Sequence, residues 1–137
     1  MRLAALIALF VLGCCVVQLA GADEEKLPTQ MAGTGSTTPE SGKTTTAPWS
    51  ISISSQDADG NLKGTLNWNG RSCQISAVHF TGTYRNGVLD ISAPATSRTC
   101  GAITMMLTKS SGDALVLEGT ARFHGADAPA VVNLRPR

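Results

Sequence analysis

The sequence predicts an all-β domain: a small antiparallel meander barrel of about 7–8 short strands with one disulfide, or alternatively a two-sheet β-sandwich. Three observations point there. Apolar and polar residues alternate with period two, tight-turn residues recur at hairpin spacing, and an apolar-x-Gly-Thr pattern repeats. The composition agrees. Charged residues are 15% of the 137 and hydrophobic residues 42%, which excludes a wholly disordered chain and a coiled coil. The net charge is +1 and the basic residues are scattered, so nothing favours nucleic-acid binding.

In chain order, residues 1–22 read as a signal peptide. Arg2 supplies the positive start, and Leu3 to Leu19 carries no charge. Ala20-Gly21-Ala22 then offers a small-x-small cleavage site ahead of Asp23-Glu24-Glu25. A transmembrane anchor would need about 20 apolar residues with cations beyond them, and here acidic residues come first. A second processing reading makes Val11-Leu12-Gly13-Cys14 a lipobox, with Cys14 as the acylated first residue and the lipid as the only membrane contact. Against it, Cys15-Val16-Val17 prolongs the apolar run.

Cys14 and Cys15 fall inside that segment, which leaves Cys73 and Cys100. Two thiols in an oxidising compartment form one disulfide. They cannot supply four zinc ligands. The bridge would close a loop of about 27 residues, worth roughly 3–4 kcal/mol by chain entropy.

Residues 23–48 show no hydrophobic periodicity. Their Thr, Ser, Gly and Pro content is expected to form a disordered linker that cannot offset its own backbone entropy. The folded domain is expected over 49–137.

Within it, Trp49 to Ser54, Leu62 to Trp68, Val78 to Tyr84 and Leu115 to Phe123 alternate as strands with one buried face. The apolar phase slips by one residue between Ile75 and Val78, which a bulge near Ser76-Ala77 explains. Asp57 to Asn61, Asn69-Gly70, Asn86-Gly87 and Ser110 to Asp113 are turns, Asn86-Gly87 being the clearest two-residue hairpin.

Leu62-Lys63-Gly64-Thr65, Phe80-Thr81-Gly82-Thr83 and Leu117-Glu118-Gly119-Thr120 share one pattern, with each glycine in the inward phase. An inward glycine leaves room for sharp coiling or for a large side chain opposite. Gly101 stands near the missing fourth position, but its neighbours do not fit. The hairpin from Asp59 to Thr65, echoed at Phe80 to Tyr84, resembles the opening hairpin of avidin-like barrels. The resemblance implies a coiled hairpin. It does not imply biotin binding, because Leu66 stands where the avidin pattern has a ligand-binding Tyr, and the domain has two tryptophans where avidins use several.

Chemistry is sparse. His79 and His124 adjoin inward aromatics and should point outward, with no metal or triad spacing around them. The G-x-S-x-G elbow is absent. Asp57-x-Asp59-Gly60-Asn61 looks like half a calcium loop, but Trp68 stands at the twelfth position where a bidentate Glu is needed, so a plain turn is expected. Trp68-Asn69-Gly70-Arg71 puts an aromatic and a cation at one turn, and Met106 should face outward as an adaptable contact. Trp68, Arg71 and Met106 therefore form the candidate binding rim. No catalytic residue, metal or cofactor is expected.

The resulting expectation is a non-catalytic binding module, exported to the periplasm or secreted. It would recognise a small ligand or an envelope protein, inhibition of a partner included. A structural lipoprotein held by Cys14 is the alternative, and a secreted hydrolase a weaker one.

Overall fold

Successive strands joined by short turns pair with their sequence neighbours, and a sheet that coils far enough meets its own first strand. That happens here. The computed structural model describes residues 25–71, 73–125 and 128–137. The expected signal peptide 1–22 and Cys14 lie outside the described residues.

The eight strands are β1 (Gln30–Thr37), β2 (Thr45–Gln56), β3 (Asn61–Asn69), β4 (Gln74–Arg85), β5 (Val88–Ala93), β6 (Ile103–Lys109), β7 (Leu117–Phe123) and β8 (Ala130–Pro136). Each pairs antiparallel with the next, and β8 pairs with β1 to close the barrel. The fold is the closed barrel and not the sandwich. β7 begins at Leu117, two residues later than the alternation suggests.

Inward positions carry Ile51, Leu66, Tyr84, Leu89, Ile91, Leu107, Leu117 and Leu134, all with no solvent exposure. Most outward positions on the same strands carry Ser, Thr, Asn and charged residues, Met106 and Val131 being exposed exceptions, so the lumen is dry and the wall mostly polar. Lipid-embedded barrels invert that arrangement.

The disordered linker expected over 23–48 is corrected by β1 and by the first residues of β2. Thr45 to Pro48 pair with Thr34 to Thr37, and Met31 is fully buried. The strand lacks a legible apolar pattern because two of its inward positions are Gly33 and Gly35, and residues of β8 and β3 occupy the space in front of them. A Cβ on Gly35 would overlap the Trp68 ring, and one on Gly33 would overlap the Asn133 carbonyl. Without β1, β2 and β8 would be open edges, which readily pair with other chains.

The bulge lies where the apolar phase slips. Leu66 pairs with Val78 and Trp68 with Ile75, so β4 carries the extra residue at Ser76-Ala77. Ala77 takes a positive φ of 51°, and its N–H donates to Asn67 Oδ1 at 2.8 Å. A second bulge at Ser54 of β2 has no apolar signature, since serines flank it on the outside. Its hydroxyl donates to the Lys63 carbonyl at 3.0 Å. At the β4–β5 hairpin, Asn86 and Gly87 both have positive φ, 52° and 76°, the geometry of a two-residue type I′ turn.

All three repeat glycines sit on strands in the inward phase, on β3, β4 and β7. In front of Gly64 lie the Ser52 carbonyl oxygen and the Phe80 ring; in front of Gly82 lies the Asp90 carbonyl oxygen; in front of Gly119 lies that of Met106. The wall coils so sharply that the neighbouring backbone occupies the place of a Cβ. Gly101 lies outside the repeat, in the β5–β6 loop with φ 64°.

Candidate functional site

The two ends of the barrel are built differently. At one end the β2–β3, β4–β5 and β6–β7 turns meet the segment 25–29, which folds across the opening. Leu27 is buried there, 6% exposed. Its N–H donates to Gln56 Oε1 at 2.9 Å, and Gln56 Nε2 donates back to the Glu25 carbonyl at 2.8 Å. The Tyr84 hydroxyl reaches up from the core to donate to Glu25 Oε2 at 3.1 Å, and Lys109 Nζ lies 3.0 Å from the same oxygen. The Lys109 hydrogen bond, and after it that of Tyr84, hold the Glu25 carboxyl below its ordinary value. This end is plugged.

The other end is open. Among the described residues it is framed by the β1–β2 loop (38–44), residues 70, 71 and 73 between β3 and β4, the β5–β6 loop (94–102), and residues 124, 125, 128 and 129 between β7 and β8. Cys73 and Cys100 join the second and third of these, with Cα atoms 5.2 Å apart, which fixes their spacing and confirms the pairing. The presence of a disulfide is compatible with an oxidising, exported location.

Beneath the loops, Trp68 from β3 lies across the lumen, 6% exposed. Its ring centroid is 4.7 Å from Phe123 and 6.5 Å from Trp49, both tilted contacts. Gly35 makes that placement possible, because its missing side chain admits the six-membered edge of the indole.

The two tryptophans use their N–H groups differently. Trp49 Nε1–H donates to the Asn133 carbonyl at 2.9 Å. There the β1–β8 register runs without paired bridges between Ala32 and Gly35, and the Asn133 side chain bonds to the Thr34 amide and hydroxyl. Trp49 is thus a stitch in the closing seam. Trp68 Nε1–H lies against Gly70 and has no acceptor among the described residues. Among the described residues no fully enclosed side-chain nitrogen lacks a partner, so this N–H keeps contact with solvent.

The opening holds a cavity of about 350 Å³ bounded by Thr37, Thr46, Trp68, Arg71, Thr99 and Phe123. Its floor is aromatic and its rim is hydroxyl-rich. Arg71 is exposed and makes no hydrogen bond or ion pair among the described residues. No carboxylate lines the cavity among them. The described loops of this end carry Lys43, Arg71 and Arg98 against Glu40, with Asp127 outside the described residues.

Of the three expected rim residues, the fold brings Trp68 and Arg71 together at this mouth. Met106 is elsewhere. It is 56% exposed in the middle of β6, in a shallow hollow of the wall with Asp90, Thr120 and Arg122. Period two tells that it points outward; it does not tell how high on the barrel it sits. Phe123 and Gly35 complete the floor and were legible only as a core aromatic and a linker glycine. Larger hollows of about 640 and 700 Å³ lie on the outer wall over β2–β5 and β1–β4. Both are more open; the first is lined mostly by outward side chains, and the second also takes in Trp49, Trp68 and Ile75 of the core.

His79 is exposed on the wall, and His124 is exposed with Nε2 3.3 Å from Thr104 Oγ1. The Asp57 carboxylate is engaged within its own turn: Oδ1 accepts from the Asp59 and Asn61 amides and Oδ2 from Asn61 Nδ2. Those hydrogen bonds, the Asn61 side chain's first, lower its pKa. This is the plain turn expected there. Among the described residues no three His, Cys, Asp or Glu side chains are grouped to hold a metal. No family model, curated protein or solved structure matches the chain.

Proposed function

We propose that this protein is an exported, non-catalytic binding module that takes a small ligand in the mouth rimmed by the Cys73–Cys100 disulfide. The observation that carries the reading is the difference between the ends. One is sealed by the chain's own segment 25–29, while the other leaves two aromatic rings facing a recess of about 350 Å³. Small-ligand sites are concave and mostly apolar with a few placed polar groups, and barrel mouths are a recurrent place for them. The recess offers rings, hydroxyls and one guanidinium. Those groups bind and orient; they do not form a nucleophile and base pair.

Chemical-shift mapping with a library of small aromatic and aliphatic compounds tests this. Shifts are expected to cluster on Thr37, Thr46, Arg71 and Thr99. Hits confined to the wall hollows or to the plugged end would refute the assignment.

A further inference from the structure

The mouth holds a guanidinium and an indole N–H but no described carboxylate. The Trp68 ring is nine-tenths buried, and its N–H reaches solvent with no acceptor among the described residues; the Arg71 guanidinium has no counter-ion among them, and no described carboxylate faces either. A donor left unmatched in a partly dry recess is costly, and a charged acceptor recovers more than a neutral one. The floor beside these donors is the Trp68–Phe123 pair, a surface for a flat or branched apolar group. At about 350 Å³ the recess is near the lower end of ligand-site volumes, roughly 300–1,000 Å³, so it suits one ring with a short arm.

We infer that the mouth selects an apolar body bearing a carboxylate, its ring or branched chain lying on Trp68 and Phe123 and its carboxylate received by Arg71 and the Trp68 N–H. This rests on the mouth being the binding site. Two sources share the chemistry: a free aromatic or branched acid, and the C-terminal residue of a peptide.

The chain supplies an internal control. Its only two indole N–H groups belong to Trp49 and Trp68. The first is already bonded to Asn133, so only the second should respond.

The test is an NMR titration of the protein with phenylacetate, phenylacetamide, Gly-Gly-Phe and the C-terminal amide of Gly-Gly-Phe, watching both indole resonances. Phenylacetate is expected to move the Trp68 signal saturably, leave that of Trp49 in place, and bind about tenfold or more tightly than the amide, the worth of a charge-assisted hydrogen bond. Arg71→Gln should lose that preference. Trp68→Phe, which keeps a ring but removes the donor, should weaken phenylacetate by several-fold, with a thermal melt confirming that the barrel is intact. A peptide that binds only with its free carboxylate identifies the peptide terminus as the source; phenylacetate binding with neither peptide identifies a free acid. Equal affinity for phenylacetate and phenylacetamide, or an unchanged preference in Arg71→Gln, overturns the inference and leaves the mouth as a binding site. No saturable response to any of the four overturns both.

Discussion

Replacing Gly82 by Val should destabilise the barrel, while the same replacement at the adjacent Thr83 should not. Gly82 lies on β4 between Leu62 of β3 and Ile91 of β5. A Cβ there would run into the Asp90 carbonyl oxygen, with the Asp90 carbonyl carbon and Ile91 Cα each at 3.1 Å. All three are backbone atoms, so no side chain can turn aside, and β5 must move away from β4 or the coil must flatten. Forced expansion of this kind costs about 1–3 kcal/mol. Val brings two methyls beyond the Cβ, so the upper half of that range is expected. For a folded unit of this size, that is a fall in melting temperature of roughly 8–12 °C. Thr83 points outward and is only partly buried, and Val suits a strand surface, so its change should stay within about 0.5 kcal/mol. Thermal melts and urea unfolding of both variants, with an unchanged urea slope, measure the contrast. Equal melting temperatures would refute the close-approach argument. A stable Gly82→Val beside a Thr83→Val that loses ligand would instead assign the Gly-Thr pairs to recognition.

A chain beginning at Trp49 should fail to unfold cooperatively and should self-associate, because it lacks β1 and the plug. One beginning at Glu25 should melt as a single unit, and calorimetry with light scattering separates the two. Changing both Cys73 and Cys100 to Ser should lower stability by about 3–4 kcal/mol in urea titrations without changing the far-ultraviolet dichroism of the barrel. The Glu25 carboxyl is held below its ordinary value, so its contribution should be present above the unfolded-state value of about 4.3 and lost as pH falls through the folded one. Stability measured from neutral pH into acid should therefore fall slightly less in Glu25→Gln than in the wild type; superimposable profiles would show that the half-exposed pair with Lys109 carries none of the acid sensitivity.

The parts of the fold legible in the sequence are those in which inward positions hold large side chains. β3, β4 and β7 announce themselves through Leu62, Leu66, Phe80, Tyr84, Leu117 and Phe123, and even the bulge at Ser76-Ala77 shows as a slip in that pattern. β1 reads as linker because its inward volume is supplied by residues far along the chain. Asn133 lies before Gly33 and the Trp68 ring before Gly35, so beyond Met31 the strand's own inward positions carry no side chain. The plug was equally invisible. Glu25 and Leu27 act through Gln56, Tyr84 and Lys109, contacts across 29 to 84 positions that no local pattern encodes. For the site, a turn placing Trp68 beside Arg71 could be read locally, whereas its floor needed the closure that sets Phe123 and Gly35 around the same ring.

The hydrogen bond from the Arg137 amide to the Gln30 carbonyl has a practical meaning. It places the last described residue beside the start of β1, so both ends of the described chain emerge at the sealed pole. An affinity tag, a surface attachment or a fused domain joined at Glu25 or at Arg137 would leave the recess at the opposite pole of the barrel. Arg137 and Gln30 are also close enough that a short peptide could join them, and new termini could be opened in a loop on the far side, a rearrangement that domains with adjacent ends commonly tolerate.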